Sequence, residues 1–313
     1  MKFNKPKFWD NKYSLISVFL LPLTFIIEIL INWRRRFIKS IKFGPHVICV
    51  GNIYIGGTGK TPLSILISKE LSKKNKKVAL IRKFYKSHFD EHQLIKENFK
   101  NFFLGDNRIG SIIKAKKNGF DTVVLDDGFQ DYKIHKNLSI LCFNQSQLIG
   151  NGKVFPSGPL RENLEALKKT QIVIINGETS KDFEKKILEI NESIEVFYSY
   201  YEPENIEEFK NKKLLALAGI GNPDNFFNLL IKNDLYIAKK KVFPDHYRIS
   251  KKEIFSILED AKQNNLELIM TEKDFYKIKE FAIPKVKYLK VNLIINQKER
   301  LINKILGSYD KVY

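Results

Sequence analysis

VICVGNIYIGGTGKTP, residues 47–62, decides the fold. Val47 to Val50 read as a buried strand, and Pro62 opens a helix, where its missing N–H has no partner to lose. Between them lies Gly56-Gly57-Thr58-Gly59-Lys60-Thr61. A phosphate cradle needs this order. Glycines let successive backbone N–H groups curl around phosphate oxygens, and the helix N-terminus adds partial positive charge. Lys60 has the reach for the β and γ phosphates, and the Thr61 hydroxyl suits Mg2+. Gly56, Gly57, Thr58, Gly59, Lys60 and Thr61 are the expected nucleotide-binding residues. The strict pattern has Gly where Tyr54 stands; the Gly56-Gly57 pair supplies the flexibility here.

TVVLDDGFQD, residues 122–131, supplies the other half of such a site. An apolar strand ends in Asp126-Asp127, where P-loop proteins hold Mg2+ with a carboxylate. Working outward, apolar runs at 78–81, 139–143 and 172–175 alternate with amphipathic stretches such as 62–74 and 108–118. Fully apolar strands alternating with helices predict a parallel sheet covered on both faces. The expected fold class is α/β: a P-loop NTPase-type parallel sheet domain with an N-terminal membrane helix and a second, smaller α/β domain. That second domain is read from LLALAGI at 214–220, helices at 223–232 and 251–264, and strands at 268–270 and 286–291. The acidic, turn-rich 202–213 stretch is the linker candidate. The expected division is 1–36, 37–205 and 206–313.

At 43% hydrophobic and 28% charged, the 313-residue chain has the composition of a folded protein, which excludes disorder as the default. The net charge of +19 favours an anionic partner. The basic residues, mostly Lys, are diffuse, without the clustered Arg and interleaved aromatics of a nucleic-acid surface. No nucleic acid is expected, and nothing implies an obligate protein partner. Cys49 and Cys142 both sit in apolar runs and read as buried thiols. No disulfide framework is present, which fits a reducing compartment.

Tyr13 to Ile31 is almost wholly apolar, with Lys12 before it and Arg34-Arg35-Arg36 after it. The run is near bilayer-spanning length, but Pro22 and Glu28 interrupt it. The flank lacks a small-residue cleavage site, which argues against a signal peptide. A helix packed on its own domain is the competing reading, but so long an apolar run favours membrane attachment, and a single span or a monotopic anchor with Trp33 at the interface would each place the basic flank on the cytoplasmic side. Membrane lipids are therefore expected partners.

With these motifs in view, the chain resembles the tetraacyldisaccharide 4'-kinases of Gram-negative bacteria. The resemblance rests on VGN(x)3GGTGKTP, DDGFQ, GNGKVFPSGPLRE (150–162), AGIGNPDNFF (218–227), FPDHY (243–247) and MTEKD (270–274), in the family's order. It implies an ATP- and Mg2+-dependent enzyme with two α/β domains and its active site between them. It implies transfer of the γ-phosphate to the 4' hydroxyl of a tetraacylated disaccharide 1-phosphate, giving lipid IVA, at the cytoplasmic face of the inner membrane. It further implies Asp90 as base, with His246 paired to it, and Lys60 as the third catalytic residue. Glu91 would join Thr61, Asp126 and Asp127 at the metal, and Arg108, Gln130 and Arg161 would lie near substrate. The chain departs from the family pattern at Phe89 and His92, which flank Asp90-Glu91, in Ile81-Arg82-Lys83-Phe84-Tyr85, and at Asp131 after Gln130.

Three other signals bear on function. A membrane-associated partitioning or targeting ATPase also uses a GG-x-GKT loop but usually carries an extra Lys early in it, where this chain has Ile55-Gly56-Gly57. His88 and His92, four apart, have the helical spacing of a metal pair. Lys273-Asp274 is not the Asn-Lys-x-Asp of guanine readers, so adenine specificity follows from the resemblance.

Overall fold

In the computed structural model, which describes residues 5–284 and 286–310, each apolar run of the sequence core becomes a parallel strand. In chain order, α1 (Leu15–Phe19) and α2 (Leu21–Phe37) precede β1 (His46–Gly51), α3 (Lys60–Lys73) and β2 (Val78–Lys83). Then come α4 (Phe89–Asn98), β3 (Phe102–Gly105), α5 (Arg108–Lys117), β4 (Thr122–Asp126) and β5 (Leu138–Asn144). β6 (Ile172–Asn176), α6 (Lys181–Ile190) and β7 (Glu195–Pro203) follow. The chain continues through β8 (Lys213–Ala218), α7 (Pro223–Lys232), β9 (Tyr236–Val242), α8 (Lys251–Gln263) and β10 (Glu267–Thr271). It ends with α9 (Glu272–Ile278), β11 (Lys287–Leu289), β12 (Val291–Ile295) and α10 (Lys298–Leu306).

Two units result. The larger comprises residues 5–84, 99–200 and 294–310; the smaller comprises 85–98 and 201–293. This differs from the expected boundaries at 36 and 205. The 85–98 segment leaves the P-loop unit because α4 packs on α9, and the last residues rejoin that unit because α10 packs on α3. The N-terminal helices belong to the larger unit and are not a separate element. Residues 1–4 and 311–313 of the expected spans lie outside the described residues.

The larger unit is built on an eight-stranded sheet of order β12-β7-β6-β5-β1-β4-β2-β3. β1 pairs in parallel with both β4 and β5, and its Val47 to Val50 are fully buried. Chain direction across the sheet reverses at β1, which places a ligand crevice beyond the carboxyl ends of β1 and β4. The smaller unit has a parallel four-stranded sheet, β11-β10-β8-β9. Leu214, Ala216 and Ala218 of β8 enter one apolar core, while Leu215 and Leu217 enter another, as period-two alternation requires of a sheet covered on both faces.

Cys49 and Cys142 are buried free thiols, as expected. Burial pushes the Cys49 thiol up to about 11 and Cys142 higher still, so both are inert.

The apolar N-terminal run is not one continuous helix. It breaks at Leu20, the C-cap of α1, and Pro22 sits in the first turn of α2. Among the described residues, no helix is long and apolar enough to cross a membrane. The few polar residues of the run face inward. Ser17 donates to the Ser157 carbonyl at 2.7 Å, Thr24 donates to the Ser157 hydroxyl at 2.7 Å, and Arg35 pairs with Glu162 at 3.2 Å. The apolar residues face outward, with Phe19 85% and Trp33 64% exposed.

Candidate active site

The nucleotide loop is built by the turn between β1 and α3. Gly59 caps α3 with φ of 85°, a left-handed conformation that a side chain would strain. A Cβ on Gly51 would lie 2.5 Å from that of Phe129, so glycine there lets the loops after β1 and β4 meet. Asn52 ties the loop to itself by donating to the Tyr54 carbonyl at 2.6 Å, and Gln130 donates to the Asn52 carbonyl at 2.9 Å. The 150–162 segment props the other side: the Arg161 N–H donates to the Ile53 carbonyl at 2.6 Å, and Ile55 to that of Pro159 at 2.8 Å. This segment also receives α1 and α2, so it is the strut between the N-terminal helices and the P-loop. Within the loop, the Thr58 hydroxyl is buried without a hydrogen-bond partner among the described residues. An orphaned donor in a phosphate-sized cradle fits a phosphate oxygen.

Asp126 ends β4 and is fully buried. Thr61 donates to its Oδ2 at 3.0 Å and Ser64 to its Oδ1 at 3.1 Å. Arg82 makes a short charged hydrogen bond to Oδ2. The β2–β4 register sets Arg82 directly opposite Asp126. The Thr61 hydroxyl and the Asp126 carboxylate are hard oxygen ligands of the kind Mg2+ takes.

Asp127 follows with φ of 55°. Its carboxylate faces Arg161 at 3.0 Å and Lys60 at 3.8 Å, and Arg108 donates to its carbonyl at 2.5 Å. Burial alone would raise this carboxyl, but Lys60, Arg161, Arg82 and Arg108 outweigh it and hold the group well below the usual range. Arg161 also donates to the side-chain amide oxygen of Gln130 at 3.4 Å. The structure thus gathers Lys60, Thr61, Arg108, Asp126, Asp127, Gln130 and Arg161 around one loop. Asp131 stands 3.8 Å from Arg108 and joins this network.

A second cluster lies in the smaller unit. α4 carries Asp90 and Glu91 in its first turn, and α9 carries Lys273 and Lys277 on one face. Asp90 is buried, and the His246 Nδ1 lies 3.0 Å from its Oδ1. His246 sits at φ of 56°, a left-handed backbone rare outside glycine, and its ring stacks on that of His88 at 4.0 Å. Lys273 bridges three carboxylates: Asp245 at 3.0 Å, Glu91 at 3.2 Å and Asp90 at 3.5 Å. Lys277 lies 3.8 Å from Asp90, locked by Asp274 at 2.7 Å and the Gly219 carbonyl at 2.5 Å. Burial would raise the Asp90 carboxyl, but Lys273, His246 and Lys277 together hold it well below the ordinary range. Asp90 is therefore a carboxylate that accepts hydrogen bonds. His88 lies 3.4 Å from Glu91, and it is with Glu91 and His246, not His92, that His88 forms a group of three metal-capable side chains.

The chain thus carries a P-loop with its strand-end carboxylates and a pair of a buried Asp90 and a half-buried His246, 156 residues apart in sequence. The family profile described as tetraacyldisaccharide-1-P 4'-kinase (LpxK) matches residues 16–309. The chain belongs to this kinase family. A tetraacyldisaccharide 4'-kinase of Pelagibacter ubique is 40% identical, the match covering 99% of this chain and 100% of that protein. The Rickettsia bellii enzyme is 31% identical, with 96% and 97% covered. The crystal structure of LpxK from Aquifex aeolicus in complex with ATP superposes with a TM-score of 0.70 at 22% identity, covering 94% of this chain and 99% of that one. That likeness shows the shared fold, a P-loop NTPase-like α/β architecture.

No sequence motif assigns a role to Arg82 or Ser64 as partners of Asp126, or to Lys273, Asp274 and Lys277 around Asp90. The α9 lysines carried a readable signal: they are four apart and so share a helix face. Arg82 carried none, because its role depends on the β2–β4 register.

Proposed function

We infer that this protein is an ATP-dependent kinase that phosphorylates the 4' hydroxyl of a tetraacyldisaccharide 1-phosphate, giving lipid IVA in lipid A biosynthesis. The match of the whole chain to the tetraacyldisaccharide 4'-kinases is the single observation that carries this reading. The P-loop, with its orphaned Thr58 hydroxyl, suits the β and γ phosphates. Lys60 exchanges its 3.8 Å contact with Asp127 for phosphate oxygens when ATP binds. Arg161 and Arg108, planar and always charged, suit the phosphate charge that builds in the transition state. Mg2+ held by Thr61 and Asp126, with Asp127 as the further carboxylate of the loop, would neutralise charge on the β and γ oxygens.

The acceptor is an alcohol, whose proton becomes acidic only as the oxygen–phosphorus bond forms. Asp90 is ionised, so its carboxylate can receive that proton once bond formation has made it acidic. His246 Nδ1, acting as donor, reaches both Asp90 oxygens at 3.0 and 3.2 Å and fixes the rotamer of the carboxylate. Lys273 holds Asp90, Glu91 and Asp245 in one array. The test is acceptor dependence: ADP should form in proportion to added tetraacyldisaccharide 1-phosphate. ADP formation indifferent to acceptor would contradict the reading.

Attachment to the cytoplasmic face of the inner membrane belongs to the same proposal. α1 and α2 turn their hydroxyls onto the 150–162 strut and their apolar side chains outward, the reverse of a helix packed on its own core. A lipid acceptor would then be met at the interface. Replacing exposed Phe19, Phe25 and Leu30 by Ser should abolish flotation with anionic vesicles while leaving the melting temperature unchanged. Undiminished flotation would refute the anchor.

A further inference from the structure

Arg34, Arg35 and Arg36 follow the apolar run as one basic block, yet their environments differ. Arg34 and Arg36 are exposed, whereas Arg35 is half-buried and turned inward. Thr24, Glu28 and Arg35 are spaced four and seven residues apart, so they share one face of α2. Each has a polar partner there. Thr24 meets Ser157, and Asn163 donates to Glu28 at 3.1 Å, which accounts for a charge in the middle of an apolar run.

Arg35 makes two contacts at once. Its Nη1 donates to the buried Glu162 at 3.2 Å, and its guanidinium lies over the Tyr132 ring at 4.5 Å. Glu162 directly follows Arg161, and Tyr132 stands two residues after Gln130. Arg161 in turn donates to Asp127 at 3.0 Å and to Gln130 at 3.4 Å. The two segments that Arg161 joins beside the P-loop are thus joined a second time by Arg35. We propose that Arg35 is a positioning residue for phosphate transfer: by clamping Glu162 to Tyr132 it holds Arg161 against Asp127 and Gln130, so α2 braces the nucleotide site as well as turning an apolar face outward. The proposal rests on the kinase reading above and gives the N-terminal helix a part in the reaction beyond attachment. Only a planar guanidinium serves both contacts, donating in its plane to the carboxylate while its face covers the ring.

The experiment compares wild type, Arg35→Ala, Arg35→Lys and the double variant Arg35→Met/Glu162→Gln as full-length proteins. It measures kcat, acceptor KM, ATP Kd, vesicle flotation and melting temperature. Arg161 is suited to charge that builds in the transition state, so its misplacement should appear in the rate. Arg35→Ala should lower kcat about 10- to 100-fold, with ATP Kd, acceptor KM and flotation within about twofold of wild type. Arg35→Lys keeps a cation beside Glu162 without the stacked plane and should recover part of the rate. Arg35→Ala also leaves Glu162 buried without its counter-charge and should melt lower; the double variant removes both charges and should melt near wild type while its kcat stays low. Wild-type kcat in Arg35→Ala or in the double variant would overturn the positioning role. Flotation lost together with kcat would overturn it too, making Arg35 a lipid contact. Wild type that transfers no phosphate to acceptor would instead overturn the kinase reading, so the two failures are distinguishable.

Discussion

Arg82 and Asp126 form an ion pair in which the side chains are 2% and 0% exposed. Replacing Arg82 by Met keeps the volume and removes the charge, leaving Asp126 with the Thr61 and Ser64 hydroxyls. Breaking a buried pair from one side costs about 3–5 kcal/mol. The two hydroxyl bonds, each worth about 1 kcal/mol, offset part of this, so about 3 kcal/mol is expected. Asp126→Asn strands the guanidinium instead and should cost a similar amount. The double variant Arg82→Met/Asp126→Asn leaves no buried charge, and the Asn amide oxygen still accepts from Thr61. It should cost well under the sum of about 6 kcal/mol, a non-additivity of at least about 2 kcal/mol. The chain's two tryptophans make this measurable by urea titration. Trp9, 1% exposed and donating to the Pro156 carbonyl at 3.1 Å, reports on the larger unit that contains the pair. Single variants within 1 kcal/mol of wild type, or a double variant that costs the full sum, would refute the reasoning. Activity should not return with stability in the double variant, because the carboxylate proposed to hold Mg2+ is gone.

Three further outcomes are expected. Lys60→Ala should abolish phosphate transfer and weaken ATP binding, measured by calorimetry, because no other P-loop side chain can take the place of its ammonium. Asp90→Asn should lower kcat by about 100-fold or more, the usual worth of a positioned base, with ATP Kd unchanged; a near-normal rate would mean the base lies elsewhere. Burial and then Lys76 push His46 down to about 4 from an unfolded value of 6.5, so the fold favours its neutral form. That contribution is complete above pH 6.5 and is lost as pH falls from 6.5 towards 4, a window His135 shares because it too is depressed. Below about 4 the contributions of Asp90 and Asp127 follow, since their folded values lie beneath the ordinary carboxylate range. The melting temperature should drop between pH 7 and pH 5, and His46→Gln should flatten that slope.

The nucleotide half of the site was legible because its residues are local. A strand, a glycine turn and a helix N-terminus are contiguous, and Asp126-Asp127 announce themselves at the end of an apolar run. The acceptor half was not. Asp90 and His246 belong to segments with no local signal joining them, and they were reached only through resemblance to a family. β9 reads YIAKKKV and was missed, because an edge strand can keep lysines in solvent that a central strand cannot. β3, four residues long at the other sheet's edge, was missed for want of length. The N-terminal run was read by its length as one apolar segment. Ser17 and Thr24, seven apart, were the readable sign of a polar stripe, and that stripe now lies on the 150–162 strut. The division of the chain into units was hidden because two short stretches, 85–98 and 294–310, pack with elements distant in sequence.

The central claim is transfer of a phosphate from ATP to a lipid-linked sugar hydroxyl. Purified protein, Mg2+, γ-labelled ATP and tetraacyldisaccharide 1-phosphate in detergent micelles test it in one reaction. Label should appear in the lipid, at a second phosphate distinct from the 1-phosphate, and should be lost with Lys60→Ala and with Asp90→Asn. Label released only as free phosphate, or lipid labelling undiminished in Asp90→Asn, would contradict the account.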